Sequence, residues 1–163
     1  MDIYSKAQEA KVLIESICEA PLPKIALVLG TGLNVVMKDF EVIHSIPYDD
    51  IPHFPKGTVK SHDNLLLIAK VHGQEIILLV GRFHYYEGFS MKEITFPIRV
   101  LQQLKIEKII FTNAVGGLNP NYKSGDLALV RDHIYLMPGD KTITYEYGML
   151  KLHQRKNEQS LSL

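Results

Sequence analysis

The feature that most constrains the fold of this chain is a set of short, continuously apolar runs ended by glycine or polar residues. Ile25–Leu29, Leu65–Ala69 and Ile76–Val80 are each five residues long and rich in leucine and β-branched residues. Such runs are typical of strands buried on both faces of a sheet, because a strand with one solvated face alternates apolar and polar residues. They are far shorter than the ~20 residues that a membrane-spanning helix needs. Lys108–Thr112 and Leu127–Arg131 are predicted to be two further strands.

Helical periodicity appears at two places between or before these runs, so the fold class is predicted to be α/β. Apolar residues recur every three or four positions through residues 4–18, which predicts an amphipathic helix. Ser90 and Glu93 have the spacing of a capping box, which predicts a second helix to about Leu104. Pro97 falls inside that stretch, so this helix either begins near the proline or is kinked there.

The chain is predicted to form a single domain over residues 1–163. Its length and its 46% hydrophobic content are ordinary for one globular domain. His72-Gly73 stands between the predicted strands Leu65–Val71 and Glu75–Val80, which indicates a tight antiparallel hairpin. The apolar pattern thins out near the end of the sequence. Residues 141–163 are therefore predicted to be a divergent polar tail, and the domain is expected to be incomplete on that side.

The balance of charges limits which macromolecules the protein can bind, and the single cysteine indicates the redox state of its compartment. The 18 basic and 18 acidic side chains cancel, which argues against nucleic acid or an anionic membrane as the main partner. The single cysteine, Cys18, cannot form an internal disulfide, which fits a reducing compartment, and its helical neighbours favour a core thiol over a reactive one. Charged residues interrupt any signal-peptide pattern near Met1, so we expect a cytoplasmic protein without a membrane span.

Four segments combine glycine with polar side chains beside predicted strands, and three of them lie at carboxyl ends, where open α/β sheets bind ligands. They are residues 29–33, 54–62, 81–88 and 112–120. The first, Leu-Gly-Thr-Gly-Leu, offers backbone amides and the Thr31 hydroxyl as a nest for an oxyanion, although such a turn also occurs without a ligand. It is neither a Walker loop nor a complete dinucleotide fingerprint.

The other three segments also admit two interpretations each. In residues 81–88, Arg82 offers a planar fork of donors suited to phosphate and His84 adds another donor; the alternative is a surface loop with an Arg82–Glu87 ion pair. The small residues of 112–120 would let a flat ligand approach the backbone, or form only a tight turn. His62 could close over an anion or be merely solvated.

Metal chemistry and a protein nucleophile are not expected. The seven histidines lack the spacing of metal ligands, and Cys18 has no partner. No Gly-x-Ser-x-Gly elbow or other nucleophile motif occurs in the sequence. An enzyme built from these parts would bind and orient its reactants, and the phosphate of the substrate would supply the nucleophile.

Taken together, these segments resemble the trimeric, low-molecular-mass class of purine nucleoside phosphorylases. The resemblance covers about residues 20–140, and its most specific parts are Gly81-Arg82-Phe83-His84 and the Asn-Ala-x-Gly-Gly-Leu-Asn sequence of residues 113–119. Further matches are residues 28–33, 54–62, 125–126 and 131–133. The resemblance implies a three-layer αβα fold of the phosphorylase/hydrolase type, with a central mixed β-sheet that is truncated on the C-terminal side.

The same resemblance implies reversible phosphorolysis of purine ribo- and deoxyribonucleosides to free base and pentose 1-phosphate, in purine salvage. It implies a homotrimer, inorganic phosphate as co-substrate, and no cofactor. The implied phosphate-binding residues are Thr31, His62, Arg82, His84 and the backbone amide of Ala114. The implied nucleoside-binding residues are Tyr86 beside the ribose and Ala114, Val115 and Gly116 on the purine side.

The sequence also departs from this family. Family members continue well beyond this length, and their second half supplies a glutamate and an asparagine that read and protonate the purine, a phosphate-binding serine and a ribose-side histidine. None of these can be placed in residues 141–163, and the purine-site phenylalanine of a neighbouring subunit has no counterpart, so no catalytic residue is assignable. The hypothesis is the N-terminal part of a phosphorylase, from a truncated or frameshifted gene, with negligible inosine phosphorolysis on its own.

Three alternatives accompany this hypothesis. One is a non-catalytic remnant that binds phosphate or a sugar phosphate. Another is a non-functional fragment whose incomplete sheet exposes apolar faces and unpaired edges and therefore aggregates. Within the enzymes, 5′-methylthioadenosine phosphorylase is the nearest competitor, but the Arg-Phe-His-Tyr-Tyr sequence of residues 82–86 favours the purine nucleoside enzyme.

Overall fold

A five-stranded mixed sheet organises the chain in the computed structural model, which describes residues 1–18, 21–30, 32–56 and 64–132. Chain contacts divide the sequence into two units, Met1–Leu129 and Val130–Leu163, and every helix and strand below lies in the first. In order they are α1 (Ile3–Cys18), β1 (Ile25–Val28), the 3-10 helix η1 (Leu33–Asp39), β2 (Glu41–Pro47), the 3-10 helix η2 (Tyr48–Asp50), β3 (Leu65–Val71), β4 (Gln74–Val80), the 3-10 helix η3 (Tyr85–Glu87), α2 (Met91–Gln103) and β5 (Lys108–Phe111).

The strand order is β2-β3-β4-β1-β5, and the sheet divides into a parallel and an antiparallel part. β1 lies between β4 and β5 and runs parallel to both. β3 is antiparallel to β2 and to β4. The β3–β4 hairpin is confirmed: Val71 pairs with Gln74, and His72 and Gly73 take positive φ values of 47° and 81°, as tight two-residue hairpin turns require.

The middle of the sheet is buried on both faces, which explains why Leu65–Ala69 and Ile76–Val80 are apolar. One face forms a core with α1 and α2 that includes Ile14, Leu66, Ile77 and Val100. The other face forms a second core that residues of η1 cover; its members include Leu67, Leu78, Val80, Leu33 and Met37. The helices α1 and α2 thus cover one face and the 3-10 helix η1 packs on the other, and the expected α/β class with a central mixed sheet is confirmed.

Local signals at the helices are also confirmed. Ser90 and Glu93 form the complete capping box: the Ser90 hydroxyl accepts from the Glu93 amide, and the Glu93 carboxylate accepts from the Ser90 amide at 2.7 Å. The helix starts at Met91 and runs through Pro97, so the alternative that it begins near the proline is wrong. Cys18 is buried in the helix-side core, as expected, and its burial raises the pKa of its thiol.

Two strands differ from the sequence-based expectation. The predicted strand Leu127–Arg131 is wrong, because these residues have no strand structure and the Leu127 and Leu129 side chains are fully solvent-exposed. β2 was not predicted, because among the described residues this edge strand pairs with β3 alone and carries exposed residues such as Val42 and Ile43 amid a mixed sequence. A strand needs a hydrogen-bonded neighbour, and hydrophobicity alone does not supply one.

The remaining organisational predictions are not tested by the fold. The single-domain assignment for 1–163 stays a prediction, and the polar tail, residues 141–163, lies outside the described residues. Within the part of the chain that is described, no helix has the length and hydropathy needed to cross a bilayer.

Candidate functional site

The sheet topology brings three of the predicted ligand-binding segments to one edge. β4, β1 and β5 are neighbours and parallel, so their carboxyl ends point the same way. Residues 29–30 follow β1, residues 81–84 follow β4 and residues 112–116 follow β5. The carboxyl edge of adjacent parallel strands is the usual ligand site of α/β proteins, and we call this edge the candidate site.

The β1 and β5 segments of the candidate site are joined through Thr112. The Gly30 amide donates to the Thr112 hydroxyl oxygen at 2.9 Å, and the Thr112 amide donates to the Val28 carbonyl at 3.0 Å. The approach is so close that a Cβ on Gly30 would lie 2.5 Å from the Thr112 carbonyl oxygen and 2.8 Å from the Asn113 Cα. The first glycine of the Gly-x-Gly segment is therefore needed for space between two backbones rather than for a positive φ.

The β4 segment carries the cationic side chain of the candidate site. Arg82 is partly buried, and this burial lowers the pKa of its guanidinium because the charged form loses solvation. Next to it, His84 is bonded through Nδ1 to the carboxylate of Glu87, and its ring stacks on Tyr86 with centroids 4.9 Å apart and planes 19° apart. The alternative prediction, an ion pair between Arg82 and Glu87, is wrong: the partner of the Glu87 carboxylate is His84.

Sequence reasoning missed the role of Glu87. Its side chain is 9% exposed, and its carboxylate fixes which ring nitrogen of His84 faces the protein. A carboxylate only accepts hydrogen bonds, so Nδ1 carries a proton and Nε2 is the atom left for a ligand. The i, i+3 spacing of the two residues in a one-turn helix was the signal in the sequence that could have identified the pair.

The segment after β5 and the ring of Tyr86 are open to solvent. Ala114, Val115 and Gly116 are exposed, Val115 to 79%, and Tyr86 is 82% exposed. Gly116 has no neighbour within 4 Å of a Cβ built on it. These residues leave space beside the carboxyl edge of the sheet, as the interpretation of 112–120 as a close-approach segment requires.

The structure thus places six of the eight predicted site residues after β4 or β5, on the side of the sheet where these strands end: Arg82, His84, Tyr86, Ala114, Val115 and Gly116. Thr31 and His62 lie outside the described residues, so their assignment stays a prediction. The described ranges contain no cluster of three or more histidine, cysteine or acidic residues that could hold a metal ion.

An open cleft of about 600 Å³ lies at the opposite edge of the sheet. It is lined by residues near the amino ends of β1 and β5, among them Lys24 and Lys108, together with Lys70 and Glu75. None of the six described site residues, Arg82, His84, Tyr86, Ala114, Val115 and Gly116, lines this cleft.

Comparison with known proteins gives consistent matches. Residues 24–159 match the family model of the phosphorylase superfamily. The chain is 45% identical over 121 residues to purine nucleoside phosphorylase 1 of Geobacillus stearothermophilus, a match that covers 74% of this chain and 44% of that protein. It is 42% identical over 117 residues to purine nucleoside phosphorylase of Mus musculus, which covers 72% and 40% of the two chains.

Solved structures agree with these relatives. Isoform 2 of purine nucleoside phosphorylase from Schistosoma mansoni, solved in complex with cytosine and ribose-1-phosphate, superposes with a TM-score of 0.66 at 39% identity, over 76% of this chain and 43% of that chain. The resemblance predicted from the motifs is confirmed. This chain spans 40–44% of the length of these curated relatives.

Proposed function

The chain belongs to the phosphorylase superfamily, and we propose that it forms the phosphate- and pentose-binding side of a purine nucleoside phosphorylase site. The reaction is the reversible phosphorolysis of purine ribo- and deoxyribonucleosides to free base and pentose 1-phosphate, in purine salvage. The observation that carries this proposal is the shared edge of β4, β1 and β5, with Arg82 and His84 after the first strand and Ala114 after the last.

Phosphate is the ligand that the charged groups of the candidate site suit best. The Arg82 guanidinium can donate two parallel hydrogen bonds to phosphate oxygens, and a dianion replaces the solvation that the half-buried cation has lost. With Nδ1 held by Glu87, a protonated His84 donates its Nε2–H to the same anion. The backbone amide of Ala114 supplies a further donor, and Thr31 and His62 complete the proposed set.

The proposed chemistry depends on orientation and charge. A phosphate oxygen attacks the anomeric carbon, the carbon–oxygen bond forms, and the glycosidic carbon–nitrogen bond breaks. Its electron pair leaves with the purine, which takes up a proton. Orienting the phosphate against that carbon lowers the entropic barrier, by up to about 7–11 kcal/mol in well-oriented systems. The phosphate charge also stabilises the cationic sugar of the transition state.

The nucleoside is proposed to lie on the exposed groups of the same edge. The Tyr86 ring packs against the pentose, and the backbone of Ala114, Val115 and Gly116 accepts the flat purine, because small residues let a ring approach closely. Phosphate is a co-substrate and the proposal needs neither metal nor cofactor. A homotrimer in the cytoplasm is the assembly and location proposed.

The residues that read and protonate the purine are proposed to lie in the part of the relatives that this chain does not match. A leaving group that lacks its proton donor departs about 10²–10⁴-fold more slowly, so this chain alone is expected to have negligible turnover. It would then bind phosphate or a sugar phosphate without rapid reaction.

Calorimetric titration of the 163-residue chain with inorganic phosphate tests the proposal. Arg82→Gln is expected to weaken binding by about 10–150-fold, because a hydrogen bond to a charged partner contributes about 1.5–3 kcal/mol. Lys92→Gln, which removes a positive charge from the surface of α2, is the control and should bind within about two-fold of the wild type. Equal affinity in Arg82→Gln and the wild type would remove Arg82 from the proposed site.

Hypoxanthine release from inosine and phosphate separates the catalytic and the non-catalytic versions. Negligible hypoxanthine release together with phosphate binding supports the proposal that this chain holds the phosphate and that the purine-reading residues lie in the part of the relatives that it does not match. Turnover near one per second, within the ordinary enzyme range, would contradict the proposed absence of purine-reading residues while supporting the reaction itself.

A further inference from the structure

Tyr48 is a buried residue whose hydroxyl and ring both contact the β4 segment of the candidate site, residues 81–84. It opens η2 directly after β2, and its side chain is 1% exposed. Its hydroxyl donates to the Gly81 carbonyl oxygen, 3.2 Å away, and Gly81 directly precedes Arg82. The sequence separation of 33 residues hides this contact from any inspection of local motifs.

The Tyr48 ring also contacts the residue on the other side of Arg82. Its centroid lies 5.8 Å from that of Phe83, which is 5% exposed and separates Arg82 from His84. Phe83 in turn packs edge-on against Phe89 at 5.1 Å. Tyr48 thus touches the chain on both sides of Arg82, once by a hydrogen bond and once by an aromatic contact.

The backbone of Tyr48 also links this region to Asn64, a second residue that contacts Gly81. Its amide donates to the Asn64 carbonyl oxygen at 2.8 Å. Asn64 lies against Gly81 so closely that a Cβ there would be 2.6 Å from the Asn64 side-chain oxygen, and Gly81 itself has a φ of 104°. The turn from β4 into Arg82 therefore takes a glycine-only conformation held between Asn64 and the Tyr48 hydroxyl.

We propose that Tyr48 is a positioning residue that sets the directions in which Arg82 and His84 leave the sheet. This inference rests on the proposed function for its consequence, phosphate binding. Burial raises the pKa of the Tyr48 phenol, so the hydroxyl stays protonated and remains a donor to Gly81 over the whole working pH range. Phenylalanine keeps the ring contacts and removes only that donor, which leaves the Gly81 carbonyl without this hydrogen bond.

The test compares Tyr48→Phe with Ile14→Val, a buried core variant on α1, an element that contributes no residue to the candidate site. The first measurement is hydrogen exchange of the Glu87 and Gly88 amides, which donate within the turn that follows His84. We expect Tyr48→Phe to speed exchange at these two amides by about five- to ten-fold more than at the Leu29 amide, which directly follows β1 and donates to the Leu79 carbonyl oxygen. Ile14→Val should change all three to a similar degree.

The second measurement is phosphate affinity by calorimetry. Tyr48→Phe is expected to bind phosphate about three- to ten-fold more weakly than Ile14→Val, because Arg82 and His84 are less well oriented. Exchange that rises equally at all three amides would overturn the positioning role, whatever the affinity. Unchanged affinity alongside faster exchange at Glu87 and Gly88 would also overturn it, because the turn would then move without consequence for the anion. If the wild type does not bind phosphate, the proposed function fails, and the exchange pattern still decides whether Tyr48 orders this turn.

Discussion

Gly30 is the position at which the candidate site leaves the least room for a side chain. A Cβ there would meet the Thr112 carbonyl oxygen at 2.5 Å and the Asn113 Cα at 2.8 Å, and both are backbone atoms that cannot rotate away. Gly30→Ala must therefore move the ends of β1 and β5 apart. That movement breaks the hydrogen bond from the Gly30 amide to the Thr112 hydroxyl oxygen.

The size of the effect follows from these contacts. Overpacking a tight site costs about 1–3 kcal/mol, and the lost hydrogen bond adds about 1 kcal/mol. Alanine restricts the unfolded chain more than glycine does, which offsets about 0.4–1 kcal/mol. The free energy of unfolding should fall by about 1–3.5 kcal/mol, which lowers the melting temperature by about 2–14 °C for a chain of this length.

Thermal unfolding followed by circular dichroism measures this difference. The matched control is Gly116→Ala on the loop after β5, where a Cβ has no neighbour within 4 Å and φ is not positive. This control should change the free energy of unfolding by no more than about 0.5 kcal/mol. The reasoning is refuted if Gly30→Ala and Gly116→Ala melt at the same temperature, since only Gly30 lacks space for the added methyl group.

Three further outcomes are expected. Ser90→Ala should lower the free energy of unfolding by about 1 kcal/mol, measured by urea unfolding at neutral pH. The bonds to Ser90 lower the pKa of Glu93 in the folded state, so this difference between variant and wild type should shrink as the pH falls through that pKa. A difference that grows in acid would contradict this. Glu87→Gln should weaken phosphate binding by about 3–10-fold in calorimetry, because a neutral amide holds Nδ1 of the His84 ring less firmly than the carboxylate does; unchanged affinity would exclude this role. Ile110→Lys changes a residue that is 53% exposed on β5, a strand that pairs only with β1 in the described part of the chain. It should reduce self-association through this edge strand, measured by size-exclusion chromatography. Elution identical to the wild type at every concentration would contradict self-association through β5.

Much of the candidate site could be predicted, because its residues are local to recognisable segments. Arg82, His84 and Ala114 stand directly after apolar runs, and a run of that kind ends where a parallel sheet binds ligands. The contacts that support them were not predictable from local sequence. Gly30 and Thr112 are 82 residues apart, and Tyr48 and Gly81 are 33 apart, so no periodicity or motif relates them.

Apolar sequence predicts a strand only where that strand is buried in the sheet, and this explains which strand predictions were right and which were wrong. Ile25–Val28 and the Ile76–Val80 part of β4 pack into a core on each face of the sheet, and that burial imposes an apolar sequence that can be recognised without the fold. Glu41–Pro47 is a strand despite its mixed sequence because β3 supplies its hydrogen bonds. Leu127–Arg131 has the apolar sequence, yet it has no strand structure.

By itself, the amino-acid sequence determined the α/β class, the hairpin at His72-Gly73, the capped start of α2 and the residue types that suit phosphate, because each depends on burial or on hydrogen bonds between near neighbours. Only the tertiary structure decided the strand order β2-β3-β4-β1-β5, and with it which loops meet. It also decided the support of Arg82 by Tyr48. Pairing between strands is a choice among many distant segments of similar hydrophobicity, and side-chain contacts follow from that choice.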